Sequence, residues 1–177
     1  DARAERQSYF TLDDAVQTGS ASSEDYTNSG YDRGHMAPAA AMAFNEEAMS
    51  QSFYMSNVSP QKPGFNRGKW KELESLLRNW AMQEDSLVVV TGPVFKEGQP
   101  RIGENQVTVP AAFFKVVMDI SQPDIKTIAF MMPNTDTDNP LIEYTLSVDD
   151  LEARTGYDFF ARFPKKAIEP LEKMADI

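Results

Sequence analysis

The chain has one histidine among 177 residues, His35, in the stretch SGYDRGHMAP at 29–38. An imidazole with its ordinary pKa near 6.5 is the side chain that can act as a neutral base at physiological pH without special burial. Asp32 and Arg33 put a carboxylate and a guanidinium beside it, and Gly34 lets the backbone approach closely. Asn66 supplies a neutral amide oxygen, a hard ligand suited to Mg²⁺, Mn²⁺ or Ca²⁺. Mg²⁺ keeps several waters and often takes only one or two protein ligands, so one asparagine can anchor it in part. Glu74 follows eight residues later, which on a continuous helix is about 80° round and two turns along. From there a carboxylate can reach a water on such an ion. Each residue alone has a plainer structural reading: a histidine without a role, a helix cap, a solvated helical charge.

These residues need a scaffold. FNRGKWKELESLLRNWAMQED is the clearest helix, because Trp70, Leu73, Leu76, Leu77 and Trp80 recur at spacings of three and four, and Asn66 stands at its expected N-cap. FYMSNVSP reads as a short strand closed by Pro60, and MAPAAAMAFNEEAMSQSF as partly helical. SLVVVTGPVF, QVTVPAAFFKVVMDI and KTIAFMMPN are β-rich segments separated by Gly, Pro and Asn. Ser147 and Asp150 resemble a capping box opening a helix that stops at Gly156. Residues 1–30 read as an irregular arm. Strands interleaved with helices, without a regular βαβ beat, give an α+β class. The expected architecture is one mixed domain over 1–177, with a central, mainly antiparallel sheet flanked by helices.

Composition removes several alternatives. There is no cysteine, hence no disulfide framework, thiolate metal site or cysteine nucleophile. No apolar run approaches the roughly 20 residues of a membrane helix, so no membrane partner is expected. No G-x-S-x-G elbow supports a serine hydrolase. DTDN at 136–139 fails as a calcium loop, with Leu141 and Ser147 where glycine and glutamate are required. The formal charge of −10 argues against a nucleic-acid binder. Its distribution softens that: Tyr31–Trp80 holds six Lys/Arg against five Asp/Glu, net +1, leaving −11 for the rest. With no leader at its start, the chain reads as a secreted or periplasmic mature form, with mitochondrial and cytoplasmic locations left open.

YDRGHMAPAA, SFYMSNVSPQ and FNRGKWKELE together resemble the motif set of the sugar-non-specific DNA/RNA endonucleases, of the ββα-metal (His-Me finger) superfamily. Later segments, VVVTGPVF, VTVPAAFFKVV, IAFMMPN and SVDDLEARTGYDFF, match in order, so the resemblance runs from about Phe10 to Phe163. It implies a ββα-metal core at about 29–83, with His35 as general base and Asn66 as the sole direct protein ligand of one Mg²⁺. Mn²⁺ or Ca²⁺ is accommodated in the same site. It further implies Glu74 holding a metal-bound water, and an upstream arginine on the scissile phosphate, Arg6 by spacing with Arg3 as fallback. Asp32 and Arg33 organise the motif loop, Arg33 also lying near the phosphate. Lys62, Arg67, Lys69 and Lys71 are candidates to follow the nucleic-acid backbone. The implied reaction is hydrolysis of DNA and RNA to 5′-phosphate and 3′-hydroxyl ends, and an ordinary histidine pKa implies loss of activity below about pH 6. The resemblance admits an inhibitor protein and a homodimer as partners, and, as the alternative function, a catalytically silent nucleic-acid-binding module on the same fold.

Overall fold

A computed structural model describes residues 3–84, 86–121 and 125–175. The chain forms two compact units: Asp1–Lys71 with Phe95–Ala111 and Asn134–Thr137, and Glu72–Val94 with Ala112–Pro133 and Asp138–Ile177.

In the first unit β1 (Asp32–His35) pairs antiparallel with β2 (Val58–Gln61), His35 opposite Val58 and Asp32 opposite Gln61. α1 (Glu46–Ser52) lies between them in sequence, capped by the Asn45 side chain accepting from the Ala48 N–H at 3.0 Å. β2 runs through Pro60 where the sequence suggested that the proline closes it. A two-stranded sheet leaves each strand a free edge, so the missing N–H costs no ladder bond there. α2 (Pro63–Phe65) opens with proline at its first position, where the absent N–H has no intrahelical partner to lose. A π-type turn over Asn66–Trp70 follows, then α3 (Lys71–Gln83). β4 (Arg101–Ile102) and β5 (Val107–Thr108) form a small antiparallel pair. Tyr26, Met55, Ile102 and Val109 make one buried cluster here, and Ala39, Met49 and Phe53 another.

The helix around Asn66 therefore differs from the periodic reading. Asn66 is not the N-cap: it has helical φ/ψ of −58° and −46°, because Pro63 has already begun the helix. Nor is the helix continuous to Glu74, since Gly68 takes φ −100° and ψ −113°, outside helical space. The 80° arithmetic between Asn66 and Glu74 does not survive that break. Kinks built on a π turn and a glycine recur at functional sites.

The second unit is built on an antiparallel sheet ordered β3 (Leu87–Val94), β6 (Ala112–Asp119), β7 (Lys126–Pro133) and β8 (Thr145–Leu146). The sequence segment around VTVPAAFF splits at Pro110, leaving β5 and β6 as separate strands. β6 is buried along its whole length, with side chains alternating between the two faces. Phe114, Val116 and Met118 pack with Val148 and Leu151 of α4 (Val148–Thr155) and with Ile168 of α5 (Lys165–Glu172). Lys115, only 1% exposed, points the other way and donates to the Thr91 hydroxyl at 2.9 Å. Burial pushes its pKa down to about 8, opposed by the nearby Glu74 carboxylate. Phe160 belongs to the core, while Tyr157 and Phe163 are exposed. No described helix is long and apolar enough to cross a membrane.

The Ser147 side chain accepts from the Asp150 N–H at 3.1 Å, and Gly156 ends α4 in the left-handed region at φ 75°. Ser147→Ala is expected to lower the unfolding free energy by about 1 kcal/mol in urea melts, and an unchanged midpoint would contradict the cap.

Candidate active site

Alternation along β1 sends Asp32 and Gly34 to one face and Arg33 and His35 to the other. Gly34 is demanded by packing: a Cβ there would lie 2.1 Å from Oε1 of Gln61, a fully buried side chain. The exit from β1 is held by Asn57. Its Nδ2 donates to the Ala37 and Ser52 carbonyls at 2.9 and 2.8 Å, its Oδ1 accepts from the Ala37 N–H at 2.9 Å, and its carbonyl accepts from the Met36 N–H at 2.9 Å. Sequence reasoning missed both Gln61 and Asn57, because a polar residue beside Ser and Pro looks like any turn former.

The His35 ring packs edge-on to Phe53 at 4.8 Å and tilted to Phe10 at 5.4 Å. Its Nε2 is buried and has no hydrogen-bond partner among the described residues. Burial first, and the Arg6 charge second, push its pKa down to about 4. The imidazole is thus neutral throughout the physiological range. Arg6 lies 5.2 Å over the Phe53 ring, and its charge acts on the histidine. Arg33 is committed to the loop before β1: its guanidinium donates to the Ser23 carbonyl and to Thr27 Oγ1 at 3.3 Å, and covers the Tyr26 and Phe10 rings.

On the opposite face, Asp32 gathers the helix residues. Asn66 Nδ2 donates to Asp32 Oδ2 at 2.9 Å. Arg67 grips both carboxylate oxygens, Nε to Oδ2 at 2.8 Å and Nη2 to Oδ1 at 2.7 Å. Burial works to raise the Asp32 pKa, but the Arg67 and Asn66 hydrogen bonds and the charges of Arg67 and Arg33 hold it below the usual carboxylate value. An ionised carboxylate only accepts, so it fixes which end of the Asn66 amide faces it. Oδ1 is turned away from Asp32 and remains as a hard oxygen donor, a fit to a hydrated Mg²⁺. Asp32 and His35 stand three residues apart on one strand, roughly 10 Å along it.

Arg67 was expected to follow a nucleic-acid backbone, yet its fork is engaged with Asp32. Lys62 sits 4.4 Å over the Tyr31 ring. Lys62 and Lys71 are exposed and Lys69 partly so. Glu74 lies on α3 in the second unit, partly buried. That unit also holds three carboxylates, Asp149, Glu152 and Glu172, with oxygens within 4.8 Å of one another. Burial, Glu152 and Asp149, together with Asp158 and Glu169, push the Glu172 pKa up. Nothing in the sequence reading singled out this cluster.

Two antiparallel strands followed by a helix, with a neutral strand histidine and a helix asparagine tied to the same strand, define a ββα finger. The family model for DNA/RNA non-specific endonucleases matches residues 1–166, and the chain belongs to that family. It is 36% identical over 168 residues to the mitochondrial nuclease EXOG of Xenopus laevis, covering 86% of this chain and 47% of that protein. It is 35% identical to a nuclease of a Nostoc species, covering 98% of this chain and 67% of that one. With Homo sapiens mitochondrial endonuclease G the identity is 34%, over 87% of this chain and 57% of the relative. This chain therefore spans about half to two thirds of the length of these relatives. A solved structure of EndoG complexed with EndoGI, which addresses inhibition of EndoG, superposes with a TM-score of 0.85 at 29% identity, covering 94% of this chain and 74% of that one.

Gly34→Ala is expected to cost about 1–3 kcal/mol of stability through overpacking, read from denaturant midpoints. Pairing it with Gln61→Ala should recover part of that loss. A Gly34→Ala variant as stable as the parent would contradict the packing argument.

Proposed function

We propose that this chain is a metal-dependent endonuclease that hydrolyses DNA and RNA to 5′-phosphate and 3′-hydroxyl ends. The observation that carries it is the family match over residues 1–166, and it is supported by a buried imidazole near Arg6 on the strand whose other face anchors Asn66 through Asp32. With Nε2 buried, Nδ1 is the nitrogen assigned to take a proton from the attacking water. The Phe10 and Phe53 rings hold the imidazole in place, so no reorientation is needed at the moment of reaction. Arg6 would place positive charge on the phosphoryl oxygens. Asn66 Oδ1 would be the direct ligand of Mg²⁺, with Glu74 acting on a bound water as the family pattern implies. When bound, the ion would supply charge to the phosphoryl and departing 3′ oxygens. Mn²⁺ and Ca²⁺ fit the same oxygen donor. Lys62, Lys69 and Lys71 are proposed to track the backbone, a contact that carries little sequence information and weakens with salt. The EndoG complex with EndoGI supports an inhibitor protein as a partner of this chain too, and a homodimer is a further proposal.

His35→Ala is expected to abolish plasmid cleavage while the fold is kept; cutting at a comparable rate would remove the base. Asn66→Ala should lose activity that excess Mg²⁺ restores poorly, and an unchanged Mg²⁺ requirement would contradict the ligand role.

The pH dependence follows from the histidine. A folded pKa of about 4 moves the acid limb of cleavage to near pH 4, away from the value near 6 that an ordinary imidazole implies. Between about pH 6.5 and 4 the unfolded chain binds the extra proton, so folding stability falls as the pH drops through that window. The loss is up to about 3 kcal/mol at the acid end. Cleavage profiles and urea melts from pH 4 to 8 check both. An acid limb at pH 6.5 would show the imidazole to be solvated.

A further inference from the structure

Arg67 is 73% exposed, yet both carboxylate oxygens of Asp32, which is only 15% exposed, are taken up by its guanidinium. An ionised carboxylate beside an asparagine oxygen would ordinarily be the stronger ligand for a hard cation. We propose that Arg67 is a positioning and tuning residue: it neutralises Asp32 and withholds that carboxylate from the cation, leaving Asn66 Oδ1 as the donor. This rests on the reading of Asn66 as the cation's ligand.

Three features of the geometry support it. The fork is bidentate, so neither Asp32 oxygen is left without a cationic donor. Asn66 and Arg67 are adjacent in the turn that Gly68 breaks, and both side chains reach the same carboxylate. The two charges cancel, leaving a neutral anchor. A neutral anchor holds a cation weakly on its own and leaves the substrate phosphate to complete the binding. A phosphate-tracking arginine would instead leave its fork open to solvent.

Mn²⁺ binding to the full chain, measured by calorimetry without nucleic acid, tests this directly. Arg67→Gln should bind Mn²⁺ about three- to tenfold more tightly than the parent, because Asp32 then faces the ion without its counter-charge. Asp32→Asn should bind it more weakly, and the Asp32→Asn/Arg67→Gln double variant should return close to the parent. All three should fold, since Arg67 is a surface side chain and Asp32→Asn preserves shape. Unchanged or weaker Mn²⁺ binding by Arg67→Gln, whether or not KM for DNA rises, would overturn the proposal. Asn66→Ala serves as the control: if it binds Mn²⁺ as tightly as the parent, the ligand reading itself fails. If it loses binding while Arg67→Gln is unaltered, only the role of Arg67 fails.

Discussion

The site depends on one carboxylate. Asp32 stands on the histidine strand and accepts the amide of Asn66 from the kinked helix, so a single hydrogen bond ties the helix asparagine to that strand. Without it the asparagine amide could turn either end outward, and only one end is a donor for a cation. Much of the surrounding unit serves that bond. Gln61 fills the space over Gly34, Asn57 pins the strand's exit, and Pro63 starts the helix early enough to put Asn66 inside it.

The two faces of β1 divide the work by environment. His35 lies against Phe10 and Phe53, where a charged imidazole is poorly solvated and the neutral base is favoured. Asp32 lies among donors and cations, where the ionised form is favoured. Period-two alternation is what allows two residues of one short strand to have such different surroundings. Arg33 shares the histidine's face but spends its guanidinium on Ser23 and Thr27, which fixes the loop leading into the strand.

Much of this was legible in the residues. The strands around Val58, Val90, Val116 and Ala129 were read from residue types and patterning, and Ser147 and Gly156 bounded α4 as their capping chemistry requires, whereas the histidine's own strand, Asp32–His35, was hidden in a stretch rich in turn formers. The break at Gly68 was not legible, because five apolar residues at helical spacing hide a one-residue change in backbone geometry. Nor was the early start at Pro63, which displaced Asn66 from the cap. The partner of Arg67 lies 35 residues away, and no local pattern distinguishes a fork closed on a carboxylate from one open to a phosphate. The histidine's depressed pKa belongs to the same class: it is set by burial and by the Arg6 charge, which come from residues far from it in sequence.

Family membership is established by the match over residues 1–166, whereas the division of labour within the site is a matter of geometry. We propose that a neutral oxygen donor on Asn66, rather than a cluster of acids, receives the cation. Diffraction from crystals soaked in Mn²⁺, recorded at the manganese absorption edge, tests that most directly. The account predicts an anomalous peak roughly 2.1 Å from Asn66 Oδ1, with no His35 nitrogen bound to it. A peak on His35, or one confined to Asp149, Glu152 and Glu172, would contradict it.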